Sequence, residues 1–204
     1  EPEHLSLYAL QLAMNPDEWA APQRPGALRW RQLMIARQDE EVAADQYRLA
    51  EELLDAAGYR HYELSSWARP GRESRHNGAY WTRRPYTGLG AGAHSYDGLS
   101  RSWNVRDLDR YLALIEAGER PVGGEEALGE ETRAFEAVAL GLRRIDGFSR
   151  DGFAGEFGQD PVVRYRAAVE EASGRGLLEV AGDAMRLTAT GRLLANEALV
   201  AFAP

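Results

Sequence analysis

The chain has 204 residues, 44% of them apolar, enough for one large domain or two small ones with real cores. It contains no cysteine, which excludes disulfides, thiolate metal sites and cysteine nucleophiles, and all 24 basic residues are arginine, which excludes Schiff-base and lysine general-base chemistry. A net charge of −8 argues against a nucleic-acid partner; no apolar run approaches the roughly 20 residues of a membrane span and nothing reads as a signal peptide, so a cytoplasmic location is expected.

His4 to Leu12 (HLSLYALQL) is an apolar run that suits a strand buried on both faces, as in a parallel sheet. Asn15 to Gly26 carries three prolines and reads as loop. Asp39 caps a helix to Ala57, with Glu40 and Glu41 at its positive end; Ala43, Tyr47, Ala50, Leu54 and Ala57 form one face and Gly58 ends it. His61 to Ser65 is a second strand, and strand–helix–strand predicts a parallel pair with a right-handed crossover. Two parallel strands do not make a stable sheet, so the rest of it is expected upstream of residue 1.

Ser74 to Tyr96 (SRHNGAYWTRRPYTGLGAGAHSY) concentrates what a site needs: His76 and His94, Asn77, the pair Tyr80 and Trp81, and glycines at 88, 90 and 92. Glycines so spaced bury nothing, and mark a sharp turn or a close approach. A glycine-rich connector beside a hydrogen-bonded histidine, with Trp81 filling core, is the plain alternative. The run Gly88 to Ala93 formally fits G-x-G-x-x-A, but no apolar strand precedes it and no helix opens at its end, so a dinucleotide site is rejected. His61, His76 and His94 are separated by 15 and 18 residues, which matches no metal-ligand spacing.

Arg101 to Asn104 is a candidate short strand, and Asn104 is the expected cap of a helix through Leu108, Tyr111, Leu112 and Ile115 that Gly118 ends. Residues 122–129 read as a linker between two domains, 1–121 and 130–204. Beyond it come a helix from Glu130 to Arg144, a short one from Ser149 through Phe153 and Phe157 to Gly158, and a third opened by Asp160-Pro161. A hairpin, Leu177 to Val180 and Met185 to Leu187 about Gly182-Asp183, precedes a last helix capped by Thr188 or Thr190. This is the element order of a winged helix. From Ala127 onward 9 arginines face 12 acidic residues, a net of −3, which disfavours DNA binding and favours a packing or lid domain.

The segments HLSLYALQL, GYRHYELSSWARPGRESRHNGAYW, YTGLGAGAHSY and SWNVRDLDRYL, and the tail GLLEVAGDAMRLTATGRLLANEAL, resemble the C-terminal half of the radical-SAM haem chaperone HemW family, often called oxygen-independent coproporphyrinogen III oxidase-like. The H-N-x-x-Y-W signature stands here as His76, Asn77, Tyr80 and Trp81. The resemblance covers essentially the whole chain, with one departure: the family's C-x3-C-x2-C cluster motif has no counterpart here.

The resemblance implies an α/β fold, part of a radical-SAM (β/α) barrel followed by a winged-helix-like α+β domain. Its implied cofactors are S-adenosylmethionine, a [4Fe-4S] cluster and haem, with the cluster outside this chain, which alone would be inactive. Arg75, His76, Asn77, Tyr80 and Trp81 are the implied haem-handling residues, with Arg83 and Arg84 as further propionate partners. Tyr8, Leu10, Gln11, Gly90, Ala93 and His94 are those implied to line S-adenosylmethionine or substrate. Implied partners are the N-terminal barrel half and haem-accepting proteins, a membrane-associated one among the candidates. The alternatives are a coproporphyrinogen III oxidase, which the signature distinguishes, and a noncatalytic winged-helix DNA-binding regulator.

Overall fold

A computed structural model describes residues 1–8 and 39–203. Within it the chain forms two compact units, 1–61 with 65–72, and 62–64 with 73–204.

In the first unit β1 (His4–Ser6) pairs antiparallel with β3 (Ser66–Ala68), His4 facing Ala68 and Ser6 facing Ser66. The sheet order is β1–β3–β2, β2 being Arg60–Glu63, whose last two residues belong to the second unit. This corrects the expected parallel pair: β3 lies between β1 and β2, because the chain turns back at Leu64-Ser65 and fills that position itself. Helix α1 (Glu40–Ala56) starts where expected, the Asp39 carboxylate accepting the Glu41 N–H at 2.9 Å. Its half-buried Tyr47 meets the Trp67 ring edge-on at 5.9 Å; Trp67, 1% exposed, stacks on His61 at 4.2 Å.

The second unit opens with α2 (Arg75–Trp81), capped by Ser74. A second antiparallel sheet follows, β4 (His94–Tyr96), β5 (Ser100–Asn104) and β6 (Val122–Ala127) in that order. The segment expected as a linker thus contains a strand. Its composition, VGGEEA, hides this: Gly124 leaves room for the Trp103 ring, and Gly123 sits at a register shift, packed against the Asn104 and Val105 backbone. Helix α3 (Leu108–Glu116) is capped by Asp107, not by Asn104, whose amide serves the glycine loop instead.

The remaining elements are α4 (Glu130–Gly141), β7 (Phe148–Ser149), α5 (Arg150–Phe157), α6 (Pro161–Arg164), α7 (Arg166–Gly174), β8 (Leu178–Ala181), β9 (Ala184–Leu187), α8 (Ala189–Leu193) and α9 (Ala195–Val200). The third sheet has the order β7–β9–β8, antiparallel. Ser149, Asp160 and Thr188 cap α5, α6 and α8 as their sequence positions predict. Two expected single helices are each divided, at Tyr165 and at Leu194. Val138, Leu142, Phe153, Leu177, Met185 and Phe202 fill the core, apolar residues from helices and hairpin alike. No helix among the described residues is long and apolar enough to cross a membrane.

Candidate functional site

The site is built on one face of the β4–β5–β6 sheet. Side chains directly opposite each other in an antiparallel sheet share a face. The register sets His94, Trp103 and Gly124 on one rung and Tyr96, Arg101 and Glu126 on the next. All of these but Gly124, with Tyr80 and Trp81 from the end of α2, Arg83, Tyr86, and Glu136 and Leu140 of α4, line a cavity of about 470 Å³. A Cβ on Gly124 would lie 2.3 Å from Trp103 Cζ2, so only glycine lets that indole lie across β6.

An edge-to-face aromatic run fixes one wall. His76 meets Tyr80 at 4.9 Å between ring centroids, Tyr80 meets Tyr86 at 4.7 Å, and Tyr86 lies tilted 6.2 Å from Tyr96. Tyr86 and Tyr96 also exchange both backbone hydrogen bonds, at 2.8 and 2.9 Å. Burial pushes the Tyr86 phenol above its ordinary value, helped by Tyr80, so it is neutral at physiological pH. Further along the same sheet face His94 lies 5.8 Å from Trp103. Arg101 is ion-paired with Glu136, both of them cavity-lining residues.

Trp81 is held from behind by the Arg143 guanidinium, 4.4 Å from its ring centroid. The indole Nε1–H of Trp81 is shielded from solvent and has no acceptor among the described residues. Arg83 adopts a left-handed backbone (φ 52°) and is tied to Glu156 and to the Arg133 carbonyl, with its guanidinium over the Phe157 ring.

The structure sorts the sequence candidates. Tyr80, Trp81 and His94 line the cavity; His76 is exposed and reaches it through the hydrogen bond between its Nε2 and the Tyr80 hydroxyl, 3.0 Å. Asn77 is half-buried, its backbone N–H donating to the Ser74 cap, and Arg75 is exposed at the start of α2. Gly90 and Ala93 lie in the loop before β4: the Gly90 carbonyl accepts from Asn104 Nδ2 at 2.8 Å and the Ala93 carbonyl from the Asn104 N–H at 2.9 Å. The approach these glycines permit is by the chain itself, since a Cβ on Gly88 would lie 2.2 Å from the His94 carbonyl oxygen. Tyr8 belongs to the other unit and is 76% exposed, while Leu10 and Gln11 lie outside the described residues.

Tyr86, Tyr96, Arg101, Trp103, Glu126, Glu136 and Leu140 are the wall residues that sequence reasoning missed. For Tyr96, Arg101 and Trp103 the sequence signal was the alternation Arg101-x-Trp103 opposite His94-x-Tyr96, which puts these residues on one face once the strands are paired.

Residues 128–194 match the HemN C-terminal domain. The chain is 36% identical over 198 residues to the heme chaperone HemW of Mycobacterium tuberculosis, across 95% of this chain and 46% of that protein. It is 34% identical over 163 residues to the heme chaperone HemW of Bacillus subtilis, across 80% and 43%. In fold it is similar to the coproporphyrinogen III oxidase HemN of Escherichia coli, a radical SAM enzyme, with a TM-score of 0.64 at 17% identity over 99% of this chain and 48% of that one. The chain spans about half the length of the curated relatives it matches. The chain is thus similar, over nearly all its length, to about half of a heme chaperone HemW, and its residues 128–194 match the HemN C-terminal domain.

Proposed function

We propose that this chain is the C-terminal portion of a radical S-adenosylmethionine protein that binds haem in the cytoplasm and passes it to acceptor proteins. The supporting observation is the cavity between α2 and the His94–Trp103 rung, in a chain related to heme chaperones. Its walls are largely aromatic faces and edges, which suit a flat macrocycle. Imidazoles at its lip (His94) and one hydrogen bond behind its wall (His76) are donors haem iron accepts, and Trp81 Nε1–H is a donor without an acceptor among the described residues. The haem is cargo here; the chain's residues bind and orient it.

The cluster does not fit. With no cysteine, this chain offers a [4Fe-4S] cluster no thiolate, and no cleavage of S-adenosylmethionine is assigned to its residues. We read residues 1–121 as part of a radical-SAM barrel and 130–204 as a winged-helix-like domain, with Gly90, Ala93 and His94 on the S-adenosylmethionine or substrate side. An oxidative decarboxylation of coproporphyrinogen III rests on likeness of fold alone.

Titrating haem into the chain and following the Soret band tests the proposal. A saturable shift is expected, weakened at least tenfold in Trp81→Ala. A shift abolished in His76→Ala and kept in His94→Ala assigns the iron ligand to the signature helix; the reverse assigns it to β4. An unshifted band in the unsubstituted chain overturns the haem reading.

A further inference from the structure

A second cavity, of about 460 Å³, adjoins the aromatic one, and the two share His94 and Trp103. Its character is different: its other lining residues are Asn104, Val105, Arg106, Asp107, Arg110 and Gly123. We propose that Arg106 and Arg110 form the carboxylate-binding part of the cargo site, holding the acid side chains of a tetrapyrrole whose ring lies in the aromatic cavity. The inference rests on the haem reading and deepens it by stating which side of the site takes the charge.

Of the arginines named from sequence for this task, Arg75 and Arg84 are exposed and line neither cavity, and the others that border the aromatic cavity are already engaged. Arg83 is committed to Glu156 and the Arg133 carbonyl. Arg101, although it lines the aromatic cavity, is committed to Glu136, and Arg143 to Glu63 and the Trp81 ring. Arg106 and Arg110 are exposed, and no ion pair engages either guanidinium among the described residues. The acid that shares their cavity, Asp107, is occupied: its Oδ1 caps α3 by accepting the Arg110 N–H at 2.8 Å. Two guanidinium forks beside an aromatic wall match an amphiphile that carries carboxylates on one edge of a flat apolar body, since the fork pairs with a carboxylate through two parallel hydrogen bonds. The bulge at Gly123 supports the arrangement by shifting the β5–β6 register where the sheet hands over to Arg106.

The test compares haem with haem dimethyl ester, whose acid side chains are neutral, in the whole chain and in Arg106→Ala/Arg110→Ala. Both side chains are exposed, so the variant keeps its fold, and circular dichroism checks this. The unsubstituted chain is expected to bind haem at least tenfold tighter than the ester, and the double variant to bind both equally, at the ester's affinity. A double variant that keeps the full preference for haem overturns the subsite while leaving the haem reading standing. So does an unsubstituted chain that does not distinguish the two ligands. Failure of the unsubstituted chain to bind either ligand overturns both.

Discussion

Arg143 lays its guanidinium over the Trp81 ring and at the same time reaches Glu63 Oε2 at 3.4 Å, so one cation backs the cavity wall and answers a carboxylate that is 1% exposed. The β-bridge between Glu63 and Arg144 holds the two segments side by side. Replacing Arg143 by Ala leaves the Glu63 charge short of its guanidinium. A loss of about 1.5–3 kcal/mol is expected, the range for a hydrogen bond to a charged group. Denaturant unfolding measures it, and Glu63→Gln in the Arg143→Ala background should recover part of the loss. A change under about 0.5 kcal/mol, which surface substitutions give, sinks the assignment.

Gly124 is the second lever. Adding one methyl group there forces the Trp103 ring off β6, because the new carbon would stand 2.3 Å from it. Gly124→Ala is expected to cost about 1–3 kcal/mol as overpacking and to narrow the cavity, weakening haem binding more than it lowers the melting temperature. Gly174→Ala, on an exposed helical position where a Cβ meets nothing within 4 Å, is the control and should lower neither stability nor haem binding.

Acid sensitivity follows from Asp160. The Arg150 side chain beside it holds its carboxyl below the ordinary value, and the Val162 N–H adds to this. A carboxyl whose folded value is depressed contributes stability that is present above the unfolded value, about 3.9, and is lost as pH falls through the lower folded one. Asp183, held down by Ser149 and the Asp151 N–H, acts in the same direction. Asp160→Asn keeps a capping side chain but removes the charge. Its unfolding curve against pH should be flatter below about pH 4 than that of the unsubstituted chain, and a curve of equal steepness would show that Asp160 carries none of the acid limb.

The C-terminal helices were legible because their ends carry their own chemistry: Ser149 and Gly158 bracket α5, Asp160-Pro161 opens α6, and Thr188 caps α8. Local signals of that kind survive without knowledge of partners. Pairing does not. Nothing in His4–Ser6 says that it will meet Ser66–Ala68, and three-residue strands are too short for periodicity to register. The site divides the same way. Tyr80, Trp81 and His94 stood out as rare residues in one stretch, whereas Arg101, Trp103 and Glu136 joined them only through register and through a helix that starts at Glu130. The strand Val122–Ala127 was hidden by its glycines, one required by an indole and one by a bulge, neither of which local propensity weighs.

Arg83 joins two pieces of the molecule that function would otherwise treat separately. A non-glycine residue at φ 52° sits about 1–2 kcal/mol above its relaxed backbone, and its side chain fastens that bend to Glu156 on α5, to Arg133 on α4 and to the face of Phe157. It stands two residues after Trp81 and three before Tyr86, both cavity-wall residues. The backbone between Trp81 and Tyr86 is therefore anchored to the C-terminal helices through a single side chain, so that loss of the Arg83 guanidinium would free a cavity wall and two helices from each other at once.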